Sequence, residues 1–365
     1  MAVATTIDPD VLVERVRRDA ERAVWRARNG IKNITGLGRP SVAPTPYDVE
    51  WQHDKVRLIR YRKPGATTTT RQPLLLVHSL VSKSYIFDLV EGNSVVEALT
   101  ARGFDVYLTD WGVPDELEAS NTLETYADYY LPRMVRAACR ASGSEDLNLL
   151  GYCFGGVLSL LYAAGHTHDP VRSFAFVATP VDFTQMGVLV DLVRQKRIDP
   201  DDLIDDTGNV PADVVFDGFR LREPVAELTT YVNLWENLWN SEFVKAHQTI
   251  GMWGRDHIPF PGVCFKQTMD LFGRKNLLAT GRVPLRNRTV DLADITKPAL
   301  CAYAEKDSIV PAAAATPLTG VLTGSAGLEE YRAPCGHIGL FVGRSAHRRH
   351  IPALADWFDK HSEKL

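Results

Sequence analysis

Short apolar runs without alternation recur along the chain: Leu74–His78 (LLLVH), Val106–Thr109 (VYLT), Leu147–Leu150 (LNLL), Phe174–Ala178 (FAFVA) and Ala299–Ala304 (ALCAYA). A strand that is apolar on both faces needs cover on both faces. The stretches between them, such as Ser94 to Ala101, Leu123 to Ala138 and Gly156 to Ala164, are long enough to be helices. Strands that alternate with helix-length crossovers predict an α/β fold with a mostly parallel sheet and helices on both sides. An earlier segment, Lys55–Tyr61, alternates imperfectly, with Val56, Leu58 and Arg60 on one side and Arg57 and Ile59 on the other, and predicts a further strand.

The rhythm breaks between Ala178 and Ala299, a gap far longer than one crossover requires. Residues 183–294 therefore read as an inserted cap, helical in large part, with Trp235, Trp239 and Trp253 as cap core or as the lining of an apolar channel. At the other end, Asp8-Pro9-Asp10 starts a helix on which Leu12, Val13, Val16, Ala20 and Val24 share one face, for packing on this chain or on a partner. A Gly/Pro/Ser-rich connector follows. The organisation predicted is an N-terminal helix and connector (1–45), a first core segment (46–182), the cap (183–294) and a second core segment (295–365).

A chain of 365 residues that is 45% hydrophobic has ample material for a large core. Its 41 basic and 45 acidic side chains give a net charge of −4, and no basic block argues for nucleic acid. Five cysteines form no CxxC pair, so neither a disulfide framework nor a zinc site is expected. The N-terminus lacks the basic and apolar runs of a secretory signal, and no stretch is apolar enough for a transmembrane helix. A cytoplasmic protein with reduced thiols is the expectation.

The sharpest local signal is Leu149-Leu-Gly-Tyr-Cys-Phe-Gly-Gly156, a buried strand running into Cys153 with Gly151 and Gly155 two places to either side. This is the nucleophile-elbow pattern with cysteine in place of serine, in which the turn is too tight for side chains at the flanking positions. The helix that follows offers free N–H groups beneath the sulfur, where negative charge is stabilised. The backbone N–H of Phe154 would face a tetrahedral oxyanion, with a second donor from the loop after LLLVH: Leu80, or Val81 next to it. The plainer alternative is a small core cysteine at a glycine-rich turn.

Chain order favours the chemical reading. In a sheet of this kind the acid follows the nucleophile and the histidine comes last. Asp307 stands in a loop after the Ala299–Ala304 run, with Glu305 as a rival acid, and His337 lies in the glycine-flanked loop Ala333-Pro-Cys-Gly-His-Ile-Gly339. Of the ten histidines, His78 is the other one near this edge, as a structural or substrate-positioning group. No HExxH or comparable cluster argues for a metal. Imidazole readily deprotonates a thiol, and the resulting thioester stays activated for transfer, which inclines the chemistry toward acyl transfer rather than ester hydrolysis.

With these residues identified, the sequence resembles the polyhydroxyalkanoate synthases, and by length their short catalytic subunits. The likeness is carried by Asp54-Lys-Val-Arg-Leu-Ile-Arg-Tyr61, Tyr85-Ile-Phe-Asp-Leu89, Gly103-Phe-Asp-Val-Tyr-Leu-Thr-Asp-Trp-Gly112, the cysteine box, Thr179-Pro-Val-Asp-Phe183, Asp307-Ser-Ile-Val-Pro311 and Gly336-His-Ile-Gly-Leu-Phe-Val-Gly343. Ser82-Lys-Ser84, Phe154 and His78 depart from the usual family pattern.

The resemblance implies an α/β-hydrolase fold and a Cys153–His337–Asp307 triad. It implies an acyltransferase that polymerises 3-hydroxyacyl-coenzyme A into polyester and releases coenzyme A, with no cofactor beyond that thioester substrate. It further implies an accessory subunit, dimerisation through the cap, and residence at storage granules. Scattered arginines (Arg255, Arg274, Arg282, Arg286, Arg288) are either solvated surface or coenzyme A contacts. A depolymerase or thioesterase of the same fold, and a non-catalytic granule-associated relative, are the alternatives.

Overall fold

The computed structural model describes residues 9–35, 41–62, 65, 67–220, 234–286 and 288–365. They fall into two compact units, one of Met1–Ser41 with Pro224–Gly254, the other of Val42–Glu223 with Arg255–Leu365.

The first unit opens with α1 (Pro9–Thr35). The side chains of Leu12, Val13 and Val16, expected on its packed face, lie outside the described residues. Ala20 and Val24 are exposed. The polar Asn29 instead anchors the described part of the helix. It is buried, and its amide donates to Leu238 O (2.7 Å) and Ser241 Oγ (3.2 Å). Leu234, Leu238 and Val244 form a small core with Phe243. The Arg22 guanidinium lies 4.7 Å over the Trp239 ring, Trp253 is buried and Trp235 is exposed. All three tryptophans belong to this unit.

The second unit is built on β1 (Tyr47–His53), β2 (Val56–Tyr61), β3 (Leu74–Val77), α2 (Val95–Ala101), β4 (Val106–Asp110), α3 (Leu131–Ser142), β5 (Leu147–Tyr152), α4 (Phe154–Gly165) and β6 (Val171–Val177). After β6 come the short helices α5 (Val188–Arg194) and α6 (Ala212–Arg220). Beyond the excursion into the first unit follow α7 (Gly262–Thr268), β7 (Ala299–Ala304), β8 (Leu328–Ala333) and α8 (Ile351–Lys360). The eight strands lie in the order β1-β2-β4-β3-β5-β6-β7-β8. β1–β2 and β2–β4 are antiparallel and the remaining pairs parallel.

The apolar runs are the centre of this sheet: every residue of β3 and of β5 is buried. The imperfect alternation of β2 has a cause. Arg57 reaches Asp110 and Arg60 reaches Asp105, so both guanidinium groups leave the core while Ile59 fills it. The two edge strands, β1 (YDVEWQH) and β8 (LEEYRA), are largely exposed and carry none of the apolar signal that revealed the inner ones. No helix among the described residues is long and apolar enough to cross a membrane.

Candidate active site

Between β5 and α4 stands a single residue, Cys153, with φ 54° and ψ −123°. An L side chain rarely adopts such a conformation, which persists only where the surroundings enforce it. Its N–H donates to Val177 O (2.9 Å) and its C=O accepts from Gly156 N (2.9 Å). The flanking glycines are sterically required. A Cβ on Gly155 would lie 2.2 Å from Val77 O and 2.6 Å from His78 O, and one on Gly151 would lie 2.7 Å from the Gly156 Cα. α4 therefore starts pressed against the end of β3, with the sulfur side chain at the C-terminal edge of the sheet.

Two later loops end at the same edge. After β7, Asp307 Oδ1 accepts from Ile309 N (2.9 Å) and Val310 N (2.7 Å), which orients the carboxylate. Its Oδ2 lies 2.7 Å from His337 Nδ1. After β8, the His337 ring stacks on Tyr152 with centroids 4.9 Å apart, and the Tyr152 hydroxyl donates to His337 O (3.4 Å). Asp307 and His337 are each only 6% exposed. The rival acid, Glu305, turns outward to pair with Arg332 on the edge strand.

Burial alone would push the His337 imidazole down. The charge of Asp307, then that of Cys153, and hydrogen bonds to both side chains outweigh it and raise the imidazole to about 10. His78 is different in kind. Burial lowers it to about 4, so its ring is neutral, and Nε2 donates to Ser82 O (2.8 Å) within its own loop. Its carbonyl accepts from Trp111 Nε1 (2.9 Å), and the residue braces the turn after β3.

A cavity of about 140 Å³ opens beside Cys153. It is lined by Phe154, Val81 and Ile309, and by Leu189 of α5 and Val215 of α6 among others. Phe154 packs edge-on against Phe260 at 5.4 Å. Val81 lines this space, whereas Leu80 is buried in the core of the sheet.

Two features escaped the sequence. One is Tyr152 as the platform for His337, signalled only by its place beside the cysteine. The other is a strap across the loop after β3. His257 bridges to Ser82, Ile258 N donates to Val81 O (3.4 Å), and Asp256 binds Lys83 Nζ (2.8 Å) and the Tyr85 hydroxyl (3.1 Å). Asp256 carries no motif that could have announced this.

Among the arginines considered for coenzyme A, Arg274 pairs with Asp270 (2.6 Å) and Arg288 with Asp128 (2.6 Å). Among the described residues no group of three or more His, Cys, Asp or Glu is placed to hold a metal ion.

Comparison with known proteins gives this geometry a context. Residues 72–344 match the alpha/beta hydrolase fold, and residues 19–99 match the poly-beta-hydroxybutyrate polymerase (PhaC) N-terminus. The poly(3-hydroxyalkanoate) polymerase subunit PhaC of Allochromatium vinosum is 35% identical over 357 residues, 97% of this chain and 98% of that protein. The subunit of the same name from Haloferax mediterranei is 36% identical over 354 residues, 96% of this chain and 71% of that protein. That from Thiocystis violacea is 32% identical, covering 97% of this chain and 99% of that protein. The chain belongs to the PhaC family of poly(3-hydroxyalkanoate) polymerases, built on the α/β-hydrolase fold.

Proposed function

We propose that this chain is the catalytic subunit of a polyhydroxyalkanoate synthase, an acyltransferase working through a thioester on Cys153. The observation that supports the reading best is a buried imidazole, His337, whose Nδ1 lies 2.7 Å from the Asp307 carboxylate at the sheet edge where Cys153 stands in its elbow. The Cys153 sulfur attacks the thioester carbonyl of a 3-hydroxyacyl-coenzyme A. The carbonyl electron pair moves onto oxygen, where the N–H of Phe154 and a second N–H from the Leu80–Val81 turn stabilise it. Collapse re-forms the carbonyl and breaks the bond to the coenzyme A sulfur, which departs with the proton held by His337. His337 then takes the proton of a 3-hydroxyl as its oxygen attacks another acyl thioester; the carbon–sulfur bond of that thioester breaks, its sulfur leaves with the electron pair and takes the proton from His337, and the new ester lengthens the polyester by one unit. Asp307 fixes the ring through Nδ1 and supports its positive charge.

The inserted segment serves in this reading as a cap through α5 and α6, whose side chains line the cavity beside Cys153, and the cap face as a surface for dimerisation or for an accessory subunit. Work on a growing insoluble chain would place the protein at granule surfaces. The decisive assay measures coenzyme A release from 3-hydroxybutyryl-coenzyme A together with the fate of the acyl group. Recovery in insoluble polyester is the expected result; recovery as free acid would instead mark a hydrolase, and neither release nor adduct a non-catalytic relative.

A further inference from the structure

The cavity beside Cys153 is notable for what its wall lacks. Among the described residues the polar side chains on it are Cys153 and Thr268, and the Thr268 hydroxyl is already committed to Cys264 O (2.8 Å). A group that needs hydrogen-bond partners would leave them unmade there, a heavy penalty in an apolar space. That excludes the amides, phosphates and adenine of coenzyme A, and it disfavours a polyester strand, which brings an ester carbonyl with every repeat. One part of a 3-hydroxyacyl thioester has no polar atom at all: the alkyl branch on the hydroxyl-bearing carbon.

Size points the same way. About 140 Å³ of room compares with roughly 10–15 Å³ for one water-sized group, so the space takes on the order of ten such groups. The methyl of a 3-hydroxybutyryl unit would leave most of it empty. Met186 and Met269 on the wall are unbranched and deformable, suited to chains of differing length.

We propose that this cavity is an alkyl pocket that selects 3-hydroxyacyl units with side chains longer than methyl, an inference that rests on the synthase reading for the identity of the substrate. Each methylene buried there raises binding about three- to four-fold. Val215, half-buried in α6, is on this wall, where a larger side chain would take up part of the room.

The test has two arms on the full chain. In the first, Cys153 is modified by alkyl methanethiosulfonates from methyl to octyl. The thiolate attacks the sulfenyl sulfur, a disulfide forms, and methanesulfinate leaves with the electron pair of the broken sulfur–sulfur bond. Rates are normalised to a small free thiol. In the second, coenzyme A release is compared for 3-hydroxybutyryl-, 3-hydroxyhexanoyl- and 3-hydroxyoctanoyl-coenzyme A.

A rise of at least ~10-fold from the shortest to the longest member is expected in both arms, from about four-fold per methylene. Val215→Phe should reduce the octyl-to-methyl rate ratio about 10-fold and Val215→Ala should not reduce it; the wild-type series stands without either variant. Rates that stay flat or fall with chain length in the first arm overturn the pocket, whatever the second shows. A rising first arm with preference for the butyryl thioester overturns the selection. A rising first arm with no coenzyme A released from any thioester refutes the synthase reading, and with it the substrate named, while the alkyl pocket remains.

Discussion

His337 Nδ1 and Asp307 Oδ2 meet at 2.7 Å inside the protein, from loops thirty residues apart. The pair, with Cys153, holds the imidazole in its charged form well above its ordinary range, to about 10. Because the folded value exceeds the unfolded one near 6.5, the stability this contributes is fully present below about pH 6.5 and is lost as pH climbs through about 10. Denaturant unfolding at pH 6, 8 and 10 should show wild type losing its advantage over Asp307→Asn as pH rises. A gap that widens with pH would contradict the pairing. In Asp307→Asn, the ring signals of His337 should titrate at lower pH than in wild type.

Substitutions in the proposed triad should separate chemistry from support. Cys153→Ala should give no acyl adduct by intact mass after exposure to 3-hydroxybutyryl-coenzyme A. His337→Gln should lower turnover by at least ~10²-fold, the low end for loss of a general base. Asp307→Asn should form the first adduct more readily than it elongates, since attack by a hydroxyl leans harder on the base. Equal loss in both steps would count against that division of labour.

Gly155 is the steric linchpin of the elbow. Gly155→Ala must displace the ends of β3 or α4, because the added methyl meets Val77 O at 2.2 Å. A loss of about 1–3 kcal/mol is expected from such overpacking. Denaturant midpoints read it directly, and an unchanged midpoint would mean that the backbone approach is looser than described.

Asp256 tests the strap. Its ion pair with Lys83 is partly solvated, so Asp256→Ala should cost no more than about 1 kcal/mol of stability. The same change also frees the Tyr85 hydroxyl, which burial and then the Asp256 charge hold above its usual range. The loop proposed to carry the second oxyanion donor then loses its clamp, so kcat should fall several-fold with KM little changed, and Asp256→Asn should restore part of it. A variant that shifts KM alone would make the strap a binding element instead.

How much of this was legible beforehand follows from physics. Inner strands announce themselves because burial on both faces requires unbroken apolar runs, as in LLLVH and ALCAYA; β1 and β8, at the sheet edges, obey no such demand and went unnoticed. The elbow and the order of Cys153, Asp307 and His337 could be read because the turn needs glycines and the topology fixes the sequence of loops. Placement of Tyr152 under His337, and of Asp256 over the loop after β3, depends on tertiary approach that no local pattern encodes. In the N-terminal helix, periodicity marks an apolar face for packing on this chain or on a partner; Ala20 and Val24 on it are exposed, and the contact that anchors the described part is made by Asn29, a polar residue satisfied by partners more than two hundred positions away.

The positive φ of Cys153 sets stability and chemistry against each other at one residue. Glycine would rest there without strain of order 1–3 kcal/mol, so Cys153→Gly should melt at a higher temperature than wild type while losing all acyl transfer. Selecting for heat resistance alone would therefore discard the thiol early, and any programme to harden this protein has to screen for turnover in the same round.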